Sequence, residues 1–160
     1  MAATLVYRLT GGASNSDPNA SLGGASSSVA VSGTAMNNLF DDVAEGEASA
    51  GDTEYRAIDV RNTGDATATV VKIYMSVETS SASTQVDMGI EASPLGSTTS
   101  IADESTAPAG VTFAHYNSGS QLALPDIAAG TYCRVWLRRV VSAAAGNTSN
   151  DQGTIYTAYA

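Results

Sequence analysis

From Glu54 onward the chain is written in short stretches that alternate apolar and polar side chains, and an apolar stripe at helical spacing is hard to find anywhere. A period of two is the signature of a strand with one face on a core and the other toward water. Gln85 to Glu91 shows it most cleanly, with Val86, Met88 and Ile90 expected inward and Gln85, Asp87 and Glu91 outward. Glu54 to Arg61 places Arg56, Ile58 and Val60 on one face and Tyr55, Ala57, Asp59 and Arg61 on the other. Thr67 to Val77 opposes Val71, Ile73, Met75 and Val77 to Val70, Lys72, Tyr74 and Ser76. The intervening Asn62-Thr63-Gly64-Asp65 reads as a hairpin turn, with Gly64 free to adopt positive φ. Val111 to Tyr116, Gln121 to Leu124, Thr131 to Val141 and Gly153 to Tyr159 complete the set, separated by Gly, Pro, Ser and Asn. Short strands at this spacing predict an all-β fold, an antiparallel, jelly-roll-like β-sandwich.

The first fifty residues differ from the rest. They are poor in large apolar side chains and rich in Gly, Ser, Ala and Asn, with short strands suggested only at Thr4 to Leu9 and Ser28 to Val31. Met36 to Ala48 has room for a helical turn or two before Gly46 and Gly51 stop it. The composition predicts an extended N-terminal arm over 1–50 and a sandwich body over 51–160. An extended arm covers up to about 3.3–3.6 Å per residue, enough to reach a neighbouring subunit.

Charge narrows the list of partners. Seven basic and sixteen acidic residues among 160 give a net charge of −9, and charged residues make up only 14% of the chain. One lysine, Lys72, and six arginines are a poor phosphate track, so neither nucleic acid nor an anionic membrane is expected as a partner. A surface of Ser, Thr, Gly and Asn can be buried against another protein at low desolvation cost. The opening MAATLVYRLTGG has no apolar signal run, and the single Cys133 has no partner for an intramolecular disulfide, so synthesis in a reducing cytoplasm is expected.

Candidate chemistry is sparse. One histidine, His115, and one cysteine, Cys133, are too few for a zinc site. As a nucleophile–base pair they read less well than as a strand-end histidine and a small buried hydrophobe. The acids Asp41, Asp42, Glu45, Glu47, Asp52 and Glu54 offer oxygen ligands to a hard cation, but lack the alternating spacing of a calcium loop and read as a solvated or docking patch. Asp103 and Glu104 have no aromatic sugar platform beside them. No enzyme activity, metal or cofactor is expected.

The segment TYCRVWLRR stands apart. One face carries Cys133, Val135 and Leu137, which is core chemistry; the other carries Tyr132, Arg134, Trp136 and Arg138, followed by Arg139. Tyr, Trp and Arg are the residue types enriched at interface hot spots, and Tyr7 and Arg8 add the same types on the first strand. The two readings are a protein–protein interface, and a ladder of cation–π and ion-pair contacts within one sheet, with Asp59 or Glu54 as partners.

Several segments carry a resemblance: RLTGGASNSDPNASLGG, FDDVAEGEASAGDTEYRAIDVRNTG, the strand ending KIYM, IADESTAPAGVTF and LPDIAAGTYCRVWLRRVV. They resemble a family of small virion structural proteins of tailed bacteriophages. Ala57 and Asp59 depart from the bulky residues common in that family's corresponding strand. The resemblance implies a β-sandwich virion component made in the bacterial cytoplasm, best read as a capsid decoration or cement protein. Its partners would be the major capsid protein and copies of itself, a trimer being one arrangement. The alternatives are a tail, collar or baseplate protein and, from another class, a carbohydrate-binding or adhesin module.

Overall fold

The computed structural model describes residues 2–160. It is an antiparallel, sandwich-like β fold. The strands are β1 (Leu5–Thr10), β2 (Ser26–Ala30), β3 (Asp52–Asn62), β4 (Lys72–Val77), β5 (Thr84–Gly89), β6 (Leu122–Ala123), β7 (Tyr132–Val141) and β8 (Thr154–Ala158), with one short helix, α1 (Glu45–Ala50). They form a five-stranded sheet in the order β2-β1-β3-β7-β5 and a three-stranded sheet in the order β6-β4-β8. The central pair β3 and β7 is matched over ten residues, from Asp52↔Val141 to Arg61↔Tyr132.

The core fills the space between the sheets. Leu9, Ile58, Val60, Cys133, Val135, Leu137 and Met88 from the larger sheet belong to one apolar cluster with Ile73 and Met75 from the smaller and Val71 just before it. Tyr7 joins the layers, its hydroxyl 2.8 Å from Thr157 Oγ1, and burial pushes that phenol above its usual pKa. The far side of the larger sheet is also covered, because the loops over residues 11–25 and 90–116 lie on it: side chains of that face donate to their carbonyls, Arg134 to Gly24 O and Thr99 O and Tyr132 to Ser97 O. Strands β3 and β7 are therefore buried on both faces, where the alternation predicts one face in water.

Three expectations need correction. The segment up to residue 50 carries short strands but does not reach away from the body: β1 sits between β2 and β3 in the sheet. Its attachment is hydrogen-bonded as much as apolar, which a reading of apolar content undervalues. Ser21 Oγ accepts the Thr10 amide at 2.9 Å and donates to Ala57 O at 2.7 Å, and Thr10, Ser21 and Ser27 are all buried. The α-helix in this segment lies later than expected, where the Glu47 carboxylate reaches back to the Ala44 amide at 2.7 Å and Gly51, at φ 81°, stops the turn.

Second, β3 and β4 are not a hairpin; β4 pairs with β6 and β8 in the other sheet. Buried Asn62 makes the corner. Its Oδ1 accepts the amides of Thr4 (3.2 Å) and Gly64 (3.0 Å), and its Nδ2 donates to Ala66 O (2.7 Å) and Ile127 O (2.9 Å). Gly64 is not in the left-handed region. It is needed for close approach, since a Cβ there would lie 2.3 Å from Ala2 O. Third, Val111 to Tyr116 forms no strand; Ala114 alone bridges Met88.

Two outcomes follow. Amides of β1 exchange as slowly as those of β3 in hydrogen exchange, whereas a free arm would exchange within the dead time. Gly64→Ala, forced against the Ala2–Thr4 backbone, lowers stability by about 1–3 kcal/mol in chemical denaturation.

Candidate functional site

The candidate residues on β7 are folded inward. Arg134 faces Asp59 across the β3–β7 ladder. Its Nε donates to Asp59 Oδ1 at 2.6 Å and its Nη2 to Oδ2 at 3.3 Å, with neither side chain exposed. Two more guanidinium protons go to the carbonyls of Thr99 and Gly24, each at 2.9 Å, and the Tyr132 ring lies 6.0 Å away. Tyr132 itself donates its hydroxyl to Ser97 O at 2.9 Å. Burial pushes the Asp59 carboxyl above its ordinary value, with the Arg134 contacts pulling the other way.

Further along the same face, Trp136 is fully buried between Ala57 on β3 and Gly89 on β5, its indole Nε1 without a hydrogen-bond partner. Arg138 donates from Nε to Asp87 Oδ2 at 3.0 Å and lies 5.1 Å from the centroid of the Phe113 ring. Asp87, expected in water, is 1% exposed. Here too the alternation is right about the side and wrong about what covers it.

On the opposite face, at the end of the core, Arg139 is paired with Glu54 in register and hydrogen-bonds it through Nε at 2.5 Å. Arg56 donates to Leu39 O at 3.0 Å and pairs with Glu104. The Phe40 ring meets both guanidinium groups, at 5.1 Å from Arg139 and 5.6 Å from Arg56. Desolvation raises the Glu54 pKa, opposed by Arg139 and Arg56. Phe40 and Arg139 of this cluster line a cleft of about 1030 Å³ walled by residues 36–49 and 144–153, with Met75, Val86, Val141 and Ile155 also in its lining.

Of the two readings of TYCRVWLRR, the internal ladder is the one present. Arg134, Trp136 and Arg139 are buried by the chain's own loops, and Tyr132 and Arg138 are held in the same network; none presents a free interface face. Tyr7 joins the two sheets, and Arg8 donates to Ser28 O. The acidic run is divided: Glu54 and Asp41 meet Arg139, and Glu47 holds the helix start. Among the described residues no group of three His, Cys, Asp or Glu side chains could hold a metal ion. His115 Nδ1 lies 3.0 Å from Val86 O and its Nε2 meets Glu78. Cys133 is fully buried, and burial pushes its thiol up to about 12.

What sequence reasoning missed is the outer face of the three-stranded sheet, which no loop covers. Tyr74 and Tyr156 stand opposite each other there, ring centroids 5.7 Å apart and planes at 66°. Tyr156 is 52% exposed, Val77 is exposed at the end of β4, and Val70 and Tyr159 are exposed beside the sheet. Val70 is also strained, a β-branched residue at φ 52°. The three strands together carry one lysine and no carboxylate, in a chain with sixteen acids. That deficit is a signal the sequence does contain.

Compared with known proteins, the chain matches no family model, no curated protein and no solved structure. The class defined by its own geometry is an antiparallel β-sandwich whose buried face of aromatic and ionic side chains is sealed by loops.

Asp59→Asn leaves the Arg134 guanidinium buried without its counter-charge and costs about 3–5 kcal/mol in urea unfolding, while a combined Asp59→Leu and Arg134→Met exchange costs less. Cys133 stays unreactive toward an aromatic disulfide reagent in the native protein and reacts at once in denaturant.

Proposed function

We propose that this protein is a structural component of a tailed-phage particle, a capsid decoration or cement protein that lies with its three-stranded sheet against the major capsid protein. The observation that carries the reading is that uncovered face: the half-buried Tyr74 against the exposed Tyr156, flanking apolar side chains and no carboxylate on its strands, on a chain of net charge −9. Such a face loses little hydration when covered, and its tyrosines supply both area and hydroxyl donors. The segments that resemble phage virion proteins support the same reading. Ion pairs within the chain engage Arg56, Arg134, Arg138 and Arg139, leaving few cations for an anionic ligand.

Val70 fits this role. A β-branched side chain held at positive φ costs about 1–3 kcal/mol, and strain of this kind clusters at functional sites. The carbohydrate alternative is less well supported, because rings inclined at 66° do not form one flat sugar platform.

The test is co-sedimentation of purified protein with heads and with tails of the phage that encodes it. Binding to heads in high copy is expected. Tyr74→Ala with Tyr156→Ala weakens that binding about tenfold or more while the melting temperature of the free protein changes little. Val70→Asn, which relaxes the backbone, stabilises the free protein yet weakens binding. Association with tails in place of heads overturns the decoration role in favour of the tail reading, and association with neither overturns both.

A further inference from the structure

A sheet edge is a row of unpaired backbone donors and acceptors, and natural folds cover it, charge it, shorten it or break it with proline. This chain has four edges and treats three of them. The edge at β5 is closed by Ala114, which exchanges both backbone hydrogen bonds with Met88, at 2.9 and 3.1 Å. At β2 the Ser28 amide is taken by Ala13 O at 2.9 Å and the Ser28 carbonyl by the Arg8 guanidinium. The edge at β6 is only two residues long. The fourth, β8, pairs with β4 on one side and, among the described residues, with no strand on the other. Its sequence, Thr154-Ile155-Tyr156-Thr157-Ala158, has no charge and no proline.

We infer that β8 is the seam of a two-fold dimer, in which the β8 strands of two copies of this chain pair antiparallel about Tyr156 and join the two three-stranded sheets into one of six. The strand is suited to meet itself. Antiparallel pairing centred on Tyr156 sets Tyr156 of one copy against Tyr156 of the other, Ile155 against Thr157 and Thr154 against Ala158. No like charges oppose one another, and the Tyr74–Tyr156 pair of each copy continues into a row of four rings across the outer face. Two chains of net charge −9 repel over most of their surfaces, and the sheet without carboxylates is where they approach at least cost.

A copy of β8 is also the strand at hand. Among the described residues β1 and β2 are locked into the larger sheet and Ala160 exchanges both backbone hydrogen bonds with Thr69, so none of these is free to pair with the open edge. An isologous contact of this kind closes at two subunits. The dimer goes beyond the virion reading and does not rest on it: failure to bind phage heads leaves it standing.

The experiment is analytical ultracentrifugation of the full chain over a wide concentration range, with two variants. The wild-type chain sediments as a monomer–dimer equilibrium. Tyr156→Lys places like charges opposite each other on the seam and weakens self-association about tenfold or more, with the melting of the dilute monomer unchanged. Tyr156→Cys, in a chain whose native Cys133 is buried, gives a disulfide-linked dimer under mild oxidant, and Ser28→Cys on the covered edge does not. A strictly monomeric chain without cross-linking, a trimer, or a dimer untouched by Tyr156→Lys each overturns the inference.

Discussion

The structure depends on the ten-residue pairing of β3 with β7, and within it on the buried contact of Asp59 with Arg134. Two desolvated charges tolerate only the register in which they meet. A slip of one residue would carry each side chain to the opposite face of the sheet, leaving a guanidinium in the core and a carboxylate under the loops. Glu54 with Arg139 fixes the same register from the other face, and Asp87 with Arg138 extends it to β5. Apolar side chains alone would hold these strands together less selectively, because Val, Ile and Leu accept many neighbours.

This arrangement decides what is left for the surface. In a chain with few charges, ion pairs occupy four of the six arginines inside. The loops over residues 11–25 and 90–116, rich in Gly, Ser and Thr, earn their place by supplying carbonyls to Arg134 from Gly24 and Thr99. The smaller sheet has no such cover. Its strained Val70, its paired tyrosines and its open β8 edge lie together on one side of the molecule, so the features that invite a neighbour are concentrated where the chain has spent least on itself.

Much of the fold was legible in the sequence. β3 and β7 were bounded to within two residues by alternation, and the sandwich followed from strand spacing. The covering loops were not, because period two reports which side of a strand differs from the other and says nothing of what lies above it. Asp87 looks solvent-facing for that reason, and Trp136 reads equally well as an interface residue or as part of an internal ladder. The partners of the arginines were half legible: Asp59 and Glu54 lie on one alternating strand and Arg134 and Arg139 on another, but only register matches each acid to its guanidinium. The attachment of β1 was hidden because Thr10, Ser21 and Asn62 hold it with hydrogen bonds rather than apolar area.

The central claim is that the cationic and aromatic strand is interior and that the chain meets its neighbours through the three-stranded sheet. Hydroxyl-radical footprinting of the protein, free and mixed with the phage heads proposed as its partner, tests this most directly. The account predicts that Tyr74, Tyr156 and Tyr159 are oxidised in the free protein and protected when bound, with Trp136 unmodified in both. Oxidation of Trp136 in the free protein, or protection confined to residues 90–116 and β7, would contradict it.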